Sequence, residues 1–284
     1  MNLLKVIYFA LHERVPASWQ GHLQGLWMNS AIRRHLRRRR ADRVRQVRQA
    51  AIARHGHWGA SDLLDMLRAQ GIAAGDVLFV QCSFNDLYTL QATPLQVIQV
   101  LQDLIGPTGT LLMPAYSSAV PGLEHPFRPD SEPTYTGILS EVFRRSAGVV
   151  RSLHPRHSIC GRGPLVATLL AGHEVCVRAD GPDSPFDRMR RLPQAKILTL
   201  GLPAGHISFL HWVEDVEPDR LPFPVYRSQP VTGAVAMPDG RVVPVQDWHI
   251  KSNISARLSL EPVASQLTVK ACNFFDFKGI AFGI

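Results

Sequence analysis

The chain has 284 residues, 45% of them hydrophobic and 19% charged, a balance that excludes disordered and fibrous classes and fits a globular protein. Its formal charge of +8 suggests a polyanion partner until the distribution is read: residues 1–57 hold 12 Lys/Arg against 2 acids, and the remaining 227 hold 19 against 21. The basic character belongs to an N-terminal arm, and the rest of the chain is close to neutral.

In chain order, NLLKVIYFAL (2–11) is apolar but interrupted by Lys5, with no basic stretch before it and no small-residue cleavage site after it. It reads as neither a signal peptide nor a membrane span. Trp19, Leu23, Leu26, Trp27 and Met28 add further apolar groups, and AIRRHLRRRRADRVRQVRQAAIAR (31–54) then packs ten arginines and one acid into a run of good helix formers. An apolar segment followed by a polybasic helix suits the anionic inner leaflet of a membrane. The competing expectation is packing on the domain or on a second subunit, which would make a homo-oligomer. Nucleic acid is not expected, because no aromatic-interleaved or groove-reading motif accompanies the arm.

From residue 58 helix and strand signals alternate. Ser61 is positioned to cap SDLLDMLRAQ, which Gly71 ends; Thr93-Pro94 opens PLQVIQVLQDLI, which Gly106 ends; Ser184-Pro185 opens a third helix. Between them DVLFVQ (76–81), TLLMP (110–114) and KILTLG (196–201) are short apolar runs of strand type. Such strands, separated by amphipathic helices, predict a layered α/β domain over 58–284, with its central strands covered on both faces. PVTGAVAM, the turn Pro238-Asp239-Gly240-Arg241 and VVPVQDW predict an added β-hairpin within 220–250. Cys82, Cys160, Cys176 and Cys272 form no CxxC pair and read as reduced, buried thiols of a cytoplasmic protein.

Two stretches carry chemistry. RSLHPRHS (151–158) crowds two imidazoles, two guanidiniums and two hydroxyls into eight residues, and ISFLHWVE (207–214), just after the third strand, sets His211 and Glu214 at i and i+3 on one helical face. The carboxyl edge of an open α/β sheet is where such folds place ligands. Taken alone, HxxE is more often a surface pair than a catalytic one.

GDVLFVQCSF, GPTGTLLMPAY, GILSEVFRRSAGVVRSLHPRHS, DSPFDRM and KILTLGLP with ISFLHWVED follow one another in an order that resembles the aminoglycoside 3-N-acetyltransferase, or antibiotic N-acetyltransferase, family over roughly residues 60–215. The resemblance implies a three-layer α/β/α enzyme transferring acetyl from acetyl-CoA to a primary amine of an amino sugar, either aminoglycoside-like or carried on a nucleotide or lipid in surface-glycan synthesis. It implies His211 as general base with Glu214 beside it, His154 lining the same cleft, Ser83 near the pantetheine, and Arg151, Ser152 and Ser158 in the block that meets CoA. Gln81, Cys82 and Ala115 depart from the family pattern, which bears on the acceptor more than on the reaction.

An amine that is protonated at pH 7 needs a base, and imidazole titrates in the useful range. Ser83 and His154 are candidate donors to the thioester oxyanion. Arg151 and Arg156 are the first choices for CoA phosphates, weighed against pairing with Glu141. His157 is expected to satisfy a backbone carbonyl or face water, Asp183 and Ser184 to cap a helix, and Glu214, Asp215, Glu217 and Asp219 to be a solvated run or to attract a cation. Three alternatives stay open: a hydrolase built on Ser158 or Cys82, without a GxSxG elbow; a zinc enzyme drawing on His154, His157, His206 and His211, without HExxH; and a catalytically altered binding protein. No metal is expected.

Overall fold

The computed structural model describes residues 31–117, 125–202, 206–216, 218, 226, 229–248 and 273–284. The apolar N-terminal segment, Glu217, Asp219 and Cys272 lie outside them. The chain divides into two compact units, Met1–Arg54 and His55–Ile284.

The arginine run forms α1 (Ala31–His55). Four consecutive arginines, Arg37 to Arg40, occupy every side of a 3.6-residue turn and all are exposed. The helix therefore carries charge all round, in place of an apolar stripe opposite a basic one.

In the second unit three parallel strands lie side by side in the order β2 (Thr110–Pro114), β1 (Val77–Cys82), β5 (Ala195–Leu200). β4 (Ile159–Arg162) runs antiparallel to β2, and β3 (Val150–Arg151) pairs outside it. On the far side β9 (Ile280–Gly283) runs antiparallel to β5, and β8 (Phe274–Phe277) completes a seven-stranded sheet. The C-terminal stretch NFFDFKGIAFGI is thus part of the central sheet. β6 (Val231–Ala236) and β7 (Val242–Asp247) form the expected hairpin as a separate two-stranded sheet, bridged to Phe127 through Val235.

Alternation along the strands builds both layers. Leu78, Val80, Leu111, Met113, Leu198 and Leu200 face one core with α2 (Ala60–Ala69), α3 (Pro94–Ile105) and α4 (Ile138–Arg144). Val77, Phe79, Leu112, Ala195 and Ile197 face another with α5 (Val166–Leu170), α6 (Pro185–Met189), Phe209 and Trp212. The expected three-layer α/β/α architecture is the one observed.

Local chemistry explains most boundaries. Thr93 caps α3 reciprocally with Gln96, and Ser184 Oγ accepts from the Asp187 N–H at 3.2 Å. The start of α2 differs from the Ser61 expectation: the Gly59 N–H donates to Asp62 at 2.8 Å, and the cap falls on Gly59, two residues earlier. Gly201, directly after β5, has φ +67°, and a Cβ there would lie 2.7 Å from the Ser83 carbonyl. Only glycine lets the ends of β1 and β5 approach this closely.

The chain leaves β1 for β2 on one side, while β5 lies on the other, and open α/β sheets place ligands at the carboxyl ends of strands at such a switch point. Because Ile159 pairs with Pro114, the loop between β3 and β4, which is the SLHPRHS part of RSLHPRHS, emerges at that same edge.

Candidate active site

α7 (Leu210–Val216) follows β5 and carries His211 and Glu214. His211 Nδ1 lies 2.7 Å from Glu214 Oε2. A carboxylate only accepts, so Nδ1 bears the hydrogen and Nε2 keeps its lone pair. The imidazole side chain is 35% exposed, and is not sealed in hydrocarbon. Burial works against its charged form, yet the hydrogen bond to Glu214 and the charges of Asp180, Glu214 and Asp215 prevail and hold it above the ordinary imidazole range.

Gln81, near the end of β1, fixes the approach to α7. Its Nε2 donates to the His206 carbonyl at 3.1 Å and to Ser208 Oγ at 2.7 Å, and its Oε1 accepts from the Ser208 N–H at 2.9 Å. The residue that departs from the family pattern thus braces the turn leading to His211.

The RSLHPRHS loop is a tightly bonded frame. Arg151 is buried; it donates to Ser158 Oγ at 2.9 Å, to the Pro129 carbonyl at 3.2 Å, and to the carbonyls of Glu132 and Ala115. Burial draws its guanidinium down to about 10. Ser158 Oγ donates to the Ala115 carbonyl at 2.7 Å; Ser152 Oγ meets His173 Nδ1 at 2.8 Å and accepts from the Ile159 N–H at 2.8 Å. Arg156 grips Asp247 of β7 with Nε and, at 3.2 Å, Nη2, and so ties the hairpin to this loop. Neither arginine pairs with Glu141, which binds Arg144 and Arg145 instead. Arg151 is thus bonded within the fold, and Arg156 spends Nε and Nη2 there.

His154 and His157 sit in different surroundings. His154 is 1% exposed; its Nδ1 accepts from the backbone N–H groups of Arg156 and His157, at 3.4 and 3.1 Å, and its Nε2 has no hydrogen-bond partner. Burial pushes it well below the ordinary range, so it stays neutral behind the site. His157 stands in front. Its ring stacks on Tyr116, with centroids 4.8 Å apart and planes at 19°, and lies 6.4 Å from the His211 ring; its Nδ1 meets Asp180 Oδ2 at 2.7 Å. The expected carbonyl partner is a carboxylate.

Asp180 is not singled out by the sequence, and Asp215 only as a member of the acidic run. Asp180 is buried, and the charges of nearby histidines outweigh its desolvation and hold its carboxyl down at about 2. Asp215 Oδ2 accepts the Asp180 N–H at 3.0 Å; burial and the Asp180 charge push its carboxyl up to about 7. The available signal was the HxxH spacing across Pro155 and the acid four residues before the Ser184 cap.

Ser83 is half-buried and donates to Asp86 Oδ2 at 2.5 Å. Cys82, Cys160 and Cys176 are free and buried, and burial raises the Cys82 thiol far above its ordinary value. With Ser158 also buried and bonded to a carbonyl, neither hydrolase candidate is a poised nucleophile. Among the described residues no three potential metal ligands converge. A cleft of about 490 Å³ opens at the opposite edge of the sheet, lined by Gln102, Gly106 and Arg162, and holds none of the histidines.

Residues 79–271 match the family model described as aminoglycoside 3-N-acetyltransferase. The chain is 30% identical over 191 residues to aminoglycoside N(3)-acetyltransferase IV of Salmonella sp, covering 66% of this chain and 68% of that one. It is 31% identical over 171 residues to aminoglycoside N(3)-acetyltransferase III of Salmonella sp, covering 54% and 59%. The chain spans about three fifths to two thirds of the length of these relatives. Among solved structures, AAC-IIIb in binary complex with CoASH superposes with a TM-score of 0.66 at 22% identity, over 80% of this chain and 91% of that one. AAC-VIa bound to sisomicin superposes with a TM-score of 0.66 at 25% identity, over 80% and 92%.

Proposed function

The chain belongs to the aminoglycoside 3-N-acetyltransferase family, and from that premise we propose that it transfers an acetyl group from acetyl-CoA to a primary amine of an amino sugar. The observation that carries the reading is the partly exposed His211 with Nδ1 anchored on Glu214 at 2.7 Å. Glu214 fixes the tautomer, so Nε2 is free to take a proton from the amine. A positioned base of this kind contributes about 10²–10⁴ in rate. His211 lies at the carboxyl edge between β1 and β5, with Gln81 holding its turn.

Acetyl-CoA supplies an acetyl thioester when bound. His211 and Ser83 suit the reacting end of that molecule, whereas Arg151 and Arg156 are engaged within the fold. Ser83 remains the candidate contact near the thioester, while Arg151, Ser152 and Ser158 act as the frame that holds the loop. His154 is a neutral packing partner behind His157. No poised nucleophile stands among Ser158 and the buried cysteines, which supports direct transfer over an acetylated enzyme. The intact His211–Glu214 pair favours an enzyme over a binding protein on the same scaffold.

The acceptor is an amino sugar of the aminoglycoside kind or one carried on a nucleotide or lipid, and α1 favours the lipid-borne form. No helix among the described residues is long and apolar enough to cross a membrane. With charge on all sides, α1 attracts an anionic surface by Coulomb forces, worth about 1 kcal/mol per basic residue near the surface. Two experiments test the reading. The first is CoA release over a panel of aminoglycosides and of nucleotide- and lipid-linked amino sugars, beside His211→Ala; a parent protein inactive with every amine rejects it. The second is liposome sedimentation, in which binding to anionic vesicles that survives deletion of residues 1–57 removes the role given to the arm.

A further inference from the structure

We propose that His157 is a second proton acceptor in the site, so that transfer uses two imidazole–carboxylate pairs. The inference deepens the acetyltransferase reading and rests on it. His157 and His211 are built alike: Nδ1 of each meets a carboxylate at 2.7 Å, Asp180 in one case and Glu214 in the other, and the ring centroids are 6.4 Å apart. Nε2 of His157 makes no hydrogen bond to the described residues, and the side chain keeps 11% exposure. Tyr116 stacks on the ring and fixes its plane. Its carboxylate partner stays ionised, since the neighbouring histidines hold Asp180 at about 2. The titratable groups around His157 are Tyr116 from the loop after β2, Asp180 from the loop before α6, His211 from α7, His154 on its own loop, and His173 and Asp247 behind.

The chemistry calls for two acceptors. An ammonium must lose two protons to become an amide: one before nitrogen has a lone pair, the second once the N–C bond has formed. In the proposed sequence His157 Nε2 takes the first, and the imidazolium is held by Asp180. The free amine attacks the thioester carbonyl, the N–C bond forms, and His211 Nε2 takes the second proton. The C–S bond breaks, the sulfur leaves with the electron pair, and His211 returns its proton to the thiolate. His157 releases the other to water. The balance is ammonium plus thioester giving amide, thiol and one proton.

The test measures kcat/KM for the amine against pH in the full chain, using the parent, His157→Gln, Asp180→Asn and His211→Ala, with two acceptors: an amino sugar, and an O-alkyl hydroxylamine that is neutral at pH 7. We expect His157→Gln to lose about 10²-fold with the amino sugar at pH 7. Most of that loss should vanish near about pH 9.5, where the amine is already largely deprotonated, and with the hydroxylamine at pH 7. Asp180→Asn should follow the same pattern, whereas His211→Ala should stay impaired throughout. A His157→Gln loss that is equal at every pH and with both acceptors overturns the inference and leaves the acetyltransferase reading standing; a parent inactive with every amine overturns both. Histidine NMR of the parent gives a readout besides activity: the His157 Nδ1–H resonance, set by its bond to Asp180, should move in Asp180→Asn, and an unmoved resonance counts against the pair.

Discussion

Gln81 holds Ser208 at both ends of its side-chain amide, with Nε2 donating to the serine Oγ at 2.7 Å and Oε1 accepting from the serine N–H at 2.9 Å. The clamp ties the end of β1 to the turn before α7. Gln81→Leu keeps the bulk but strands the Ser208 N–H and the His206 carbonyl, at a cost of about 1–3 kcal/mol. If that cost falls on the placement of His211, kcat/KM drops roughly tenfold to a hundredfold. Steady-state kinetics beside a melting curve would check this; unchanged kinetics with a lowered Tm would assign the clamp to stability alone.

Glu214→Gln should move the acid limb of the pH–rate profile to lower pH. His211 titrates above the ordinary imidazole range despite burial, because Glu214 favours the charged ring. Only the neutral ring accepts a proton, so the parent gains activity as pH rises through that raised value. The variant loses the support for the imidazolium and reaches its neutral form at lower pH, while its tautomer is less well fixed and its plateau falls. A limb that stays in place would separate Glu214 from the titration.

Arg151→Met should damage the fold before the chemistry. The buried guanidinium donates to Ser158 Oγ and three carbonyls; its removal takes that donor from the Pro129 and Glu132 carbonyls and leaves Ser158 Oγ and the Ala115 carbonyl only each other. A loss of about 3 kcal/mol corresponds to roughly 6–12 °C in Tm for a domain of this size. Calorimetry and the KM for CoA together decide the matter: a raised KM at unchanged Tm would restore the phosphate contact expected from the sequence.

Asp215→Asn should stabilise the protein at neutral pH relative to acid. Burial first, then the Asp180 charge, raise the Asp215 carboxyl to about 7, against about 3.9 in an unfolded chain. Between these values the native state holds a proton that the unfolded state has lost, so this group's contribution to stability falls as pH rises from about 4 to 7. The amide oxygen of asparagine still accepts the Asp180 N–H. The stability difference between variant and parent should therefore grow by about 2–4 kcal/mol across that window, as read by urea unfolding at each pH; a difference independent of pH would refute the titration.

Much of this was legible in the residues. Thr93-Pro94 and Ser184-Pro185 mark helix starts because capping is local chemistry, and alternate positions of VLFVQC and TLLMP enter opposite cores because a strand has period two. The His211–Glu214 pair follows from one turn of helix. What stayed hidden depends on residues distant in the chain. Nothing local says that Arg151 will meet carbonyls 36 and 22 residues upstream, that Asp247 will draw Arg156 away from phosphates, or that Asp180 will supply the carboxylate for His157. The burial of His154 and the stacking of His157 on Tyr116 are likewise tertiary facts that no local pattern announces.

The pairing of β5 with β9 bears on how the molecule emerges from the ribosome. Thr199 and Leu200 find their partners in Gly283 and Phe282, so roughly 80 residues must be synthesised between one strand and its neighbour. At about 5–20 residues per second the open side of β5 waits some 4–16 s for cover, offering unpaired backbone to other nascent chains. Expression temperature and chaperone supply should therefore govern the yield of soluble protein, and the strand leading to His211 is among the last parts of the sheet to close.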